Sequence, residues 1–253
     1  MRKPIIAGNW KMNKTITEAI ELINGLKRNL YKIEDVDIVV CPPFTALSET
    51  AEITADSNIK LGAQDLFWEE KGAFTGEISA AMLKDAGAEY VIIGHSERRQ
   101  YFNETNASVN KKLKKALSSG LIPIMCVGER LEEREANKTF QVVEDHVVNG
   151  LKDISEKDAV KIIIAYEPVW AIGTGKNATP GQAEEVHKFI RGILAKLYSK
   201  DTASSVRIQY GGSVTPDNIA SLMAEPDLDG ALVGGSSLKV DSFTDIIRKT
   251  IVR

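Results

Sequence analysis

Cysteine is nearly missing from this 253-residue chain: Cys41 and Cys126 are the only two. A disulfide-stapled scaffold and a multi-cysteine metal centre are therefore excluded, and both residues read as thiols in a chain large enough to hold its own core. Histidine is scarce as well, with three in all. Two of them, His146 and His187, stand in helical stretches with no Cys or His at ligand spacing, so they read as surface residues and no metal site is expected. No apolar run approaches the ~20 residues of a bilayer span, and Met1-Arg2-Lys3-Pro4 lacks the apolar stretch and cleavage site of a secretion signal. A cytoplasmic location is expected, with no membrane partner, and the sequons at Asn103, Asn106 and Asn137 are chance matches. Neither sign of charge dominates: 32 Lys and Arg stand against 35 Asp and Glu. Nothing here would neutralise a phosphate polymer, and nucleic acid is not an expected partner. Linkers rich in Pro, Ser or Gly are absent too, so residues 1–253 read as one domain.

What is present is a repeat. Short apolar runs rich in Val and Ile recur, each followed by a longer charged segment with helical spacing. The pattern predicts strands at Ile5–Asn9, Val36–Cys41, Ile59–Ala63, Tyr90–Gly94, Leu121–Val127, Val160–Tyr166, Val206–Tyr210 and Gly230–Val233. Runs such as Ile162-Ile163-Ile164 do not alternate apolar with polar, which marks strands covered on both faces, as in parallel sheets flanked by helices. Thr15-Ile16-Thr17-Glu18 and Thr179-Pro180-Gly181-Gln182 read as capped helix starts, and Thr215-Pro216 as another. Eight βα units favour a (β/α)8 TIM barrel, eight parallel strands with an outer ring of helices; a doubly wound open sheet is the competing α/β arrangement.

In a parallel barrel the strand-to-helix loops emerge at one rim, where active sites are built. The first strand runs into Asn9-Trp10-Lys11, the fourth into His95-Ser96-Glu97, the sixth into Glu167-Pro168, and the seventh and eighth into Gly211-Gly212-Ser213 and Gly234-Gly235-Ser236. Any one of these has an ordinary explanation: a solvated rim lysine, a structural histidine, glycines in tight turns. Titratable residues ending three apolar strands together point to a site, because a charge at a strand end is costly unless paired or used. The double glycines after the last two strands suit phosphate held by backbone N–H groups. Gly173-Thr174-Gly175-Lys176 looks like part of a nucleotide loop, but Trp170 stands where its first Gly belongs and Asn177 where Ser or Thr would hold Mg²⁺.

Ala7-Gly8-Asn9-Trp10-Lys11-Met12-Asn13, Ile93-Gly94-His95-Ser96-Glu97-Arg98-Arg99, Ala165-Tyr166-Glu167-Pro168 continuing to Lys176, and Tyr210-Gly211-Gly212-Ser213-Val214 closely resemble the triosephosphate isomerase family, from end to end. The resemblance implies reversible interconversion of dihydroxyacetone phosphate and D-glyceraldehyde 3-phosphate through an enediolate, in glycolysis and gluconeogenesis, with no cofactor. Carried over by position, Glu167 is the base, His95 a neutral imidazole electrophile, Lys11 the positive charge and Asn9 a further donor, with Glu97 organising Lys11; helix N-terminal N–H groups after Ser96 would lower the His95 pKa. Asn9 and Lys11 also face substrate, and the phosphate is expected on Gly173, Ser213, Gly234 and Gly235. A lid is implied, made of Pro168, Val169, Trp170, Ala171, Ile172, Gly173, Thr174, Gly175, Lys176, Asn177 and Ala178. Tyr210 is expected to brace it when shut and Glu129 to hold Trp170 when open.

The loop after the third strand, Gln64 to Glu77, carries Leu66, Phe67, Trp68 and Phe74. It could pack on its own barrel; the resemblance implies a homodimer in which Phe74 and Thr75 enter the partner. Competing functions remain: another phosphate-binding barrel enzyme, such as an aldolase with a Schiff-base lysine or a metal-dependent epimerase, or a non-catalytic binding barrel. Neither a Schiff-base lysine inside a strand nor a metal cluster is visible in the sequence.

Overall fold

Ile5–Asn9 (β1), Asp37–Cys41 (β2), Ile59–Ala63 (β3), Tyr90–Ile93 (β4), Ile122–Val127 (β5), Ile163–Tyr166 (β6), Arg207–Tyr210 (β7) and Gly230–Val233 (β8) pair in chain order, and β8 returns to β1, closing a parallel barrel. The computed structural model describes residues 2–171 and 178–251. β1 lies between β2 and β8 with Ala7 opposite both Val39 and Leu232. The open-sheet alternative is thereby excluded.

Two apolar clusters arise from strand alternation. Ile5, Ala7, Val39, Cys41, Ile92, Ile124, Cys126, Ile163, Ala165 and Leu232 form a cluster of strand residues only, filling the barrel interior. Their neighbours Ile6, Ile38, Val40, Val91, Ile93, Met125, Ile164 and Val233 join helix residues such as Leu22, Leu26, Leu113, Val186 and Phe243 in the layer between barrel and helices. Both faces of most strands are thus buried, with Lys60 of β3 an exposed exception, which is why the runs read as nearly unbroken. Each fully buried Ile, Leu or Val contributes about 1.5–3 kcal/mol.

The helix starts at Thr15 and Thr179 are complete capping boxes, opening Ile16–Leu30 and Pro180–Leu197. Elsewhere the sequence expectations need correction. The sixth strand begins at Ile163 instead of Val160, because Glu156–Ala159 is a short helix that Val160 caps from an exposed position. Thr215-Pro216 opens a turn, with the regular helix delayed to Ile219–Met223. Both thiols are free and buried.

His187 is not a surface residue: it is fully buried on the helix Pro180–Leu197, with Nδ1 against the Asp227 carbonyl at 3.3 Å and its ring edge-on to Tyr166. Its helical spacing is that of Ala183, Val186 and Ile190, the buried stripe of that helix. Burial, with help from the nearby Arg191 charge, pushes its pKa down to about 3. The unfolded chain therefore takes up a proton that the folded chain refuses, and stability falls as pH drops from about 6.5 towards 3. At pH 5 the loss from this group is about 2 kcal/mol, at roughly 1.4 kcal/mol per pKa unit. Replacing His187 by Gln is expected to reduce the pH 7 to pH 5 difference in urea unfolding free energy by that amount; an unchanged difference would contradict the assignment.

Candidate active site

β1 ends in Asn9, and the chain then turns sharply enough to put Lys11 at φ 54, a left-handed backbone. The turn is held by the Lys11 N–H donating to Asn9 Oδ1 at 3.0 Å and by Gln64, whose Nε2 donates to the Lys11 and Cys41 carbonyls at 2.9 Å each. With Oδ1 spent on the turn, the amide end of Asn9 is the part left to face a ligand. β4 ends at Ile93, and His95 is the N-cap of the helix Ser96–Tyr101. β6 delivers Glu167 directly from Tyr166. Two neighbouring glycines allow that delivery: a Cβ on Gly128 would stand 1.8 Å from the Glu167 carbonyl oxygen, and one on Gly211 would stand 2.9 Å from its Cγ.

The delivered groups meet. His95 Nε2 lies 2.9 Å from Glu167 Oε1, and the Ser96 N–H donates to Oε2 at 3.0 Å. Both side chains are almost closed to solvent, Glu167 at 2% and His95 at 5% exposure. Lys11 Nζ bonds Glu97 Oε1 at 2.6 Å. The Glu97 N–H donates to His95 Nδ1 at 3.2 Å. An N–H aimed at Nδ1 requires a lone pair there, which leaves the proton on Nε2 and defines the neutral tautomer.

Electrostatics couple the pair. Burial opposes ionisation of Glu167, but His95, the Ser96 amide and Lys11 outweigh it and hold the carboxyl below its ordinary value. Burial likewise opposes charge on His95, and the Glu167 and Glu97 carboxylates outweigh it, raising the imidazole pKa. The expected lowering of the His95 pKa is therefore corrected: the imidazole pKa is raised. The helix-end N–H groups are in place, but a carboxylate at 2.9 Å contributes more than they do.

A cavity of about 270 Å³ opens onto these groups, lined by Asn9, Lys11, His95 and Glu167 on one side and by Ser213, Gly234 and Gly235 on the other. Gly235 begins a short helical turn to Leu238, and nothing fills the space beside it. Gly173 and the lid positions Ile172, Thr174, Gly175, Lys176 and Asn177 lie outside the described residues. At the lid's first hinge, Trp170 Nε1 donates to Glu129 Oε1 at 2.9 Å, Tyr166 donates its hydroxyl to the same carboxylate at 3.1 Å, and the Arg134 guanidinium pairs with Glu129 at 3.1 Å while lying over the Trp170 ring. The Tyr210 hydroxyl is buried facing the Ala178 backbone without completing a hydrogen bond, and burial pushes its pKa up to about 12.

The sequence reading missed Gln64 and Arg134, and with them a buried ionic cluster behind the site. Lys112, 4% exposed, bonds Asp65 at 2.7 Å and also Glu104, and Arg98 Nε lies 2.8 Å from Asp65. Burial and the Glu104 charge raise the Asp65 pKa to about 6. The cluster ties the start of the loop after β3 to the helices Ser96–Tyr101 and Asn106–Ser118. Lys112 lies on the apolar face of its helix beside Val109, Leu113 and Ala116, the signal that could have revealed it. Among the described residues no group of three or more His, Cys, Asp or Glu side chains could hold a metal ion, and no helix is long and apolar enough to cross a membrane.

Comparison with known proteins adds a family to this geometry. The model of the family described as triosephosphate isomerase matches residues 4–250. The chain is 60% identical over 247 residues to the triosephosphate isomerase of Caldanaerobacter subterraneus subsp. tengcongensis, covering 98% of this chain and 99% of the relative. It is 58% identical over 248 residues to that of Endomicrobium trichonymphae, with the same coverage, and 58% identical over 247 residues to that of Moorella thermoacetica, covering 98% of each.

Proposed function

From the premise that the chain belongs to the triosephosphate isomerase family, we propose how its own residues divide the chemistry. The reaction is the interconversion of dihydroxyacetone phosphate and D-glyceraldehyde 3-phosphate through an enediolate, serving glycolysis and gluconeogenesis. Glu167 takes the proton from the carbon beside the carbonyl; the electron pair left behind forms the carbon–carbon double bond and sends negative charge onto the carbonyl oxygen. The Nε2–H of His95 and the amide of Asn9 donate to that oxygen, and the Lys11 ammonium supplies the opposing charge. The proton of the neighbouring hydroxyl passes to that oxygen, which leaves the charge on the second oxygen. Glu167 then returns its proton to the carbon that carried the carbonyl, so that the second oxygen becomes the new carbonyl. The one observation that carries this reading is that a buried carboxylate and a buried neutral-tautomer imidazole lie 2.9 Å apart in one cavity with Lys11. Substrate must part them, releasing Nε2–H for the carbonyl and the carboxylate for the carbon.

The magnitudes suffice without a metal: about 10²–10⁴-fold from a positioned base and about 10²–10³-fold from each oxyanion donor. The phosphate is held by N–H groups of Ser213, Gly234 and Gly235 and of Gly173, where the loops after β7 and β8 and a short helix form the usual anion seat of this barrel. Glu97 holds Lys11 in place through the 2.6 Å ion pair. Pro168 to Ala178 act as the lid; Glu129, with Arg134, holds Trp170 when it is open, and Tyr210 braces it when it is shut. Purified protein assayed for triose phosphate turnover with and without a chelator tests the reading: chelator-insensitive turnover supports it, and loss of turnover on chelation sinks it.

The active protein is a cytoplasmic homodimer of one-domain chains spanning residues 1–253. Large apolar side chains stand out from the rim that carries the site: Met12 is 96% exposed, Tyr101 66%, Phe102 64% and Phe74 43%. Phe74 leans on Phe67, which packs on Trp68, and it keeps 43% of its surface exposed. A monomer does not keep such a surface in water without cost. Phe74→Asp is expected to shift sedimentation towards monomer and to lower activity, because Thr75 of one chain would no longer support Asn9, Lys11 and His95 of the other. An unchanged sedimentation profile would reject the interface.

A further inference from the structure

A second cavity of about 230 Å³ lies behind the active site, on the far side of Ser96. Its wall includes Arg99, Gly128, Arg130, His146 and Val169. At roughly 30 Å³ per water it holds several water-sized groups. Three features of the wall fit an anion.

Arg99 is a part-buried guanidinium with no carboxylate within ion-pair distance among the described residues. Its bonds go to neutral acceptors: Nε to the Gly94 carbonyl at 2.9 Å, Nη1 to Asn106 Oδ1 at 2.7 Å and Nη2 to the Cys126 carbonyl at 3.4 Å. The carboxylates that act on Arg99, Glu104, Glu167 and Asp145, stand beyond ion-pair distance, and an anion in the cavity would meet the guanidinium directly. His146 accepts the Gly128 N–H on Nδ1 at 3.3 Å, which puts its proton on Nε2, and that N–H has no partner among the described residues. Burial and the neighbouring Arg99 and Arg130 charges push the His146 pKa down to about 3, so the ring is a neutral donor at ordinary pH. Arg130 stands at the mouth with most of its side chain exposed and its guanidinium 3.3 Å from Glu133.

The carboxylates on the same wall are already engaged. Glu104 bonds Lys112 and accepts the Gly94 N–H at 3.1 Å. Glu133 accepts the Arg130 N–H at 2.8 Å and faces its guanidinium at 3.3 Å.

We propose that this cavity is a second anion site, taking a tetrahedral oxyanion of phosphate size between Arg99, Arg130 and the Nε2–H of His146. The site is separate from the substrate phosphate seat beyond β7 and β8. It backs onto Ser96, whose N–H holds Glu167, and onto Val169 of the lid hinge, so an occupant presses on the wall that positions the catalytic carboxylate.

The three histidines give three reporters in one experiment. Imidazole NMR of the full-length protein during titration with inorganic phosphate at constant ionic strength reads the substrate cavity at His95, the second cavity at His146 and an enclosed control at His187. His95 and His146 are expected to shift along separate saturable curves while His187 stays fixed. Arg130→Gln, an exposed change outside the catalytic groups, is expected to raise the phosphate concentration for half-saturation at His146 roughly tenfold, the lower end of what one charge-assisted bond supplies, and to leave the His95 curve in place. A His146 signal that does not move, that drifts linearly with phosphate, or that tracks the His95 curve in both proteins would overturn the proposal.

Discussion

Glu167→Gln is expected to lower kcat by about 10²–10⁴-fold with only a modest change in KM, the signature of losing a group that acts in the transition state. The amide oxygen can still accept the Ser96 N–H that now reaches Oε2 at 3.0 Å, while the amide NH2 then faces the His95 Nε2–H and the side chain's basicity is gone. Some stability should fall with activity, because His95, the Ser96 amide and Lys11 outweigh the burial cost of the Glu167 carboxylate and removing one partner of a buried pair is destabilising. A lost kcat with little change in KM, in a protein that still unfolds cooperatively, separates a catalytic role from a structural one. Near-normal kcat would refute the base assignment.

Lys11→Met is expected to lower kcat/KM by about 10³–10⁵-fold. That range combines the loss of a charge-assisted substrate contact, about 1.5–3 kcal/mol, with the loss of one stabiliser of the enediolate oxyanion, about 10²–10³-fold. Lys11 already sits at φ 54, and Met at the same backbone geometry adds no new strain. The substitution also strands Glu97, which loses its 2.6 Å partner and is left near His95 Nδ1 at 3.5 Å. The unpaired carboxylate raises the His95 pKa further, so the residual activity of Lys11→Met should move to higher pH than that of the unaltered protein. The pH profile of kcat/KM checks this; a variant within tenfold of normal would place Lys11 among solvated rim residues.

Much of this protein is legible in one dimension because its physics is local and periodic. Parallel strands buried on both faces leave unbroken Val and Ile runs, and the residues at the C-terminal ends of those runs meet at one rim of the barrel; Asn9, Lys11, His95 and Glu167 are legible for that reason and share one cavity. Thr15 and Thr179 are legible because a capping box closes within four residues. What escapes depends on partners distant in sequence. Lys112 reads as one more charged helix residue until Asp65, 47 positions away, meets it inside the protein. His187 sits on an apolar face that the sequence shows, but its partner is the Asp227 carbonyl, 40 positions on. The His95 electrostatics cannot be read from its own turn, since the dominant charge comes from the end of β6. Val160 carries strand propensity, and the short helix before it takes it out of the strand.

A crystal structure with a phosphate-bearing carboxylate or hydroxamate of triose size, a mimic of the enediolate, tests the central claim most directly. The account predicts that the 2.9 Å contact between His95 and Glu167 opens. His95 Nε2 should then lie within about 3 Å of the carbonyl-like oxygen and the Glu167 carboxylate should face the neighbouring atom, with the phosphate on the N–H groups of Ser213, Gly234 and Gly235. An inhibitor bound with His95 and Glu167 still joined to each other, or turned towards separate cavities, would contradict it.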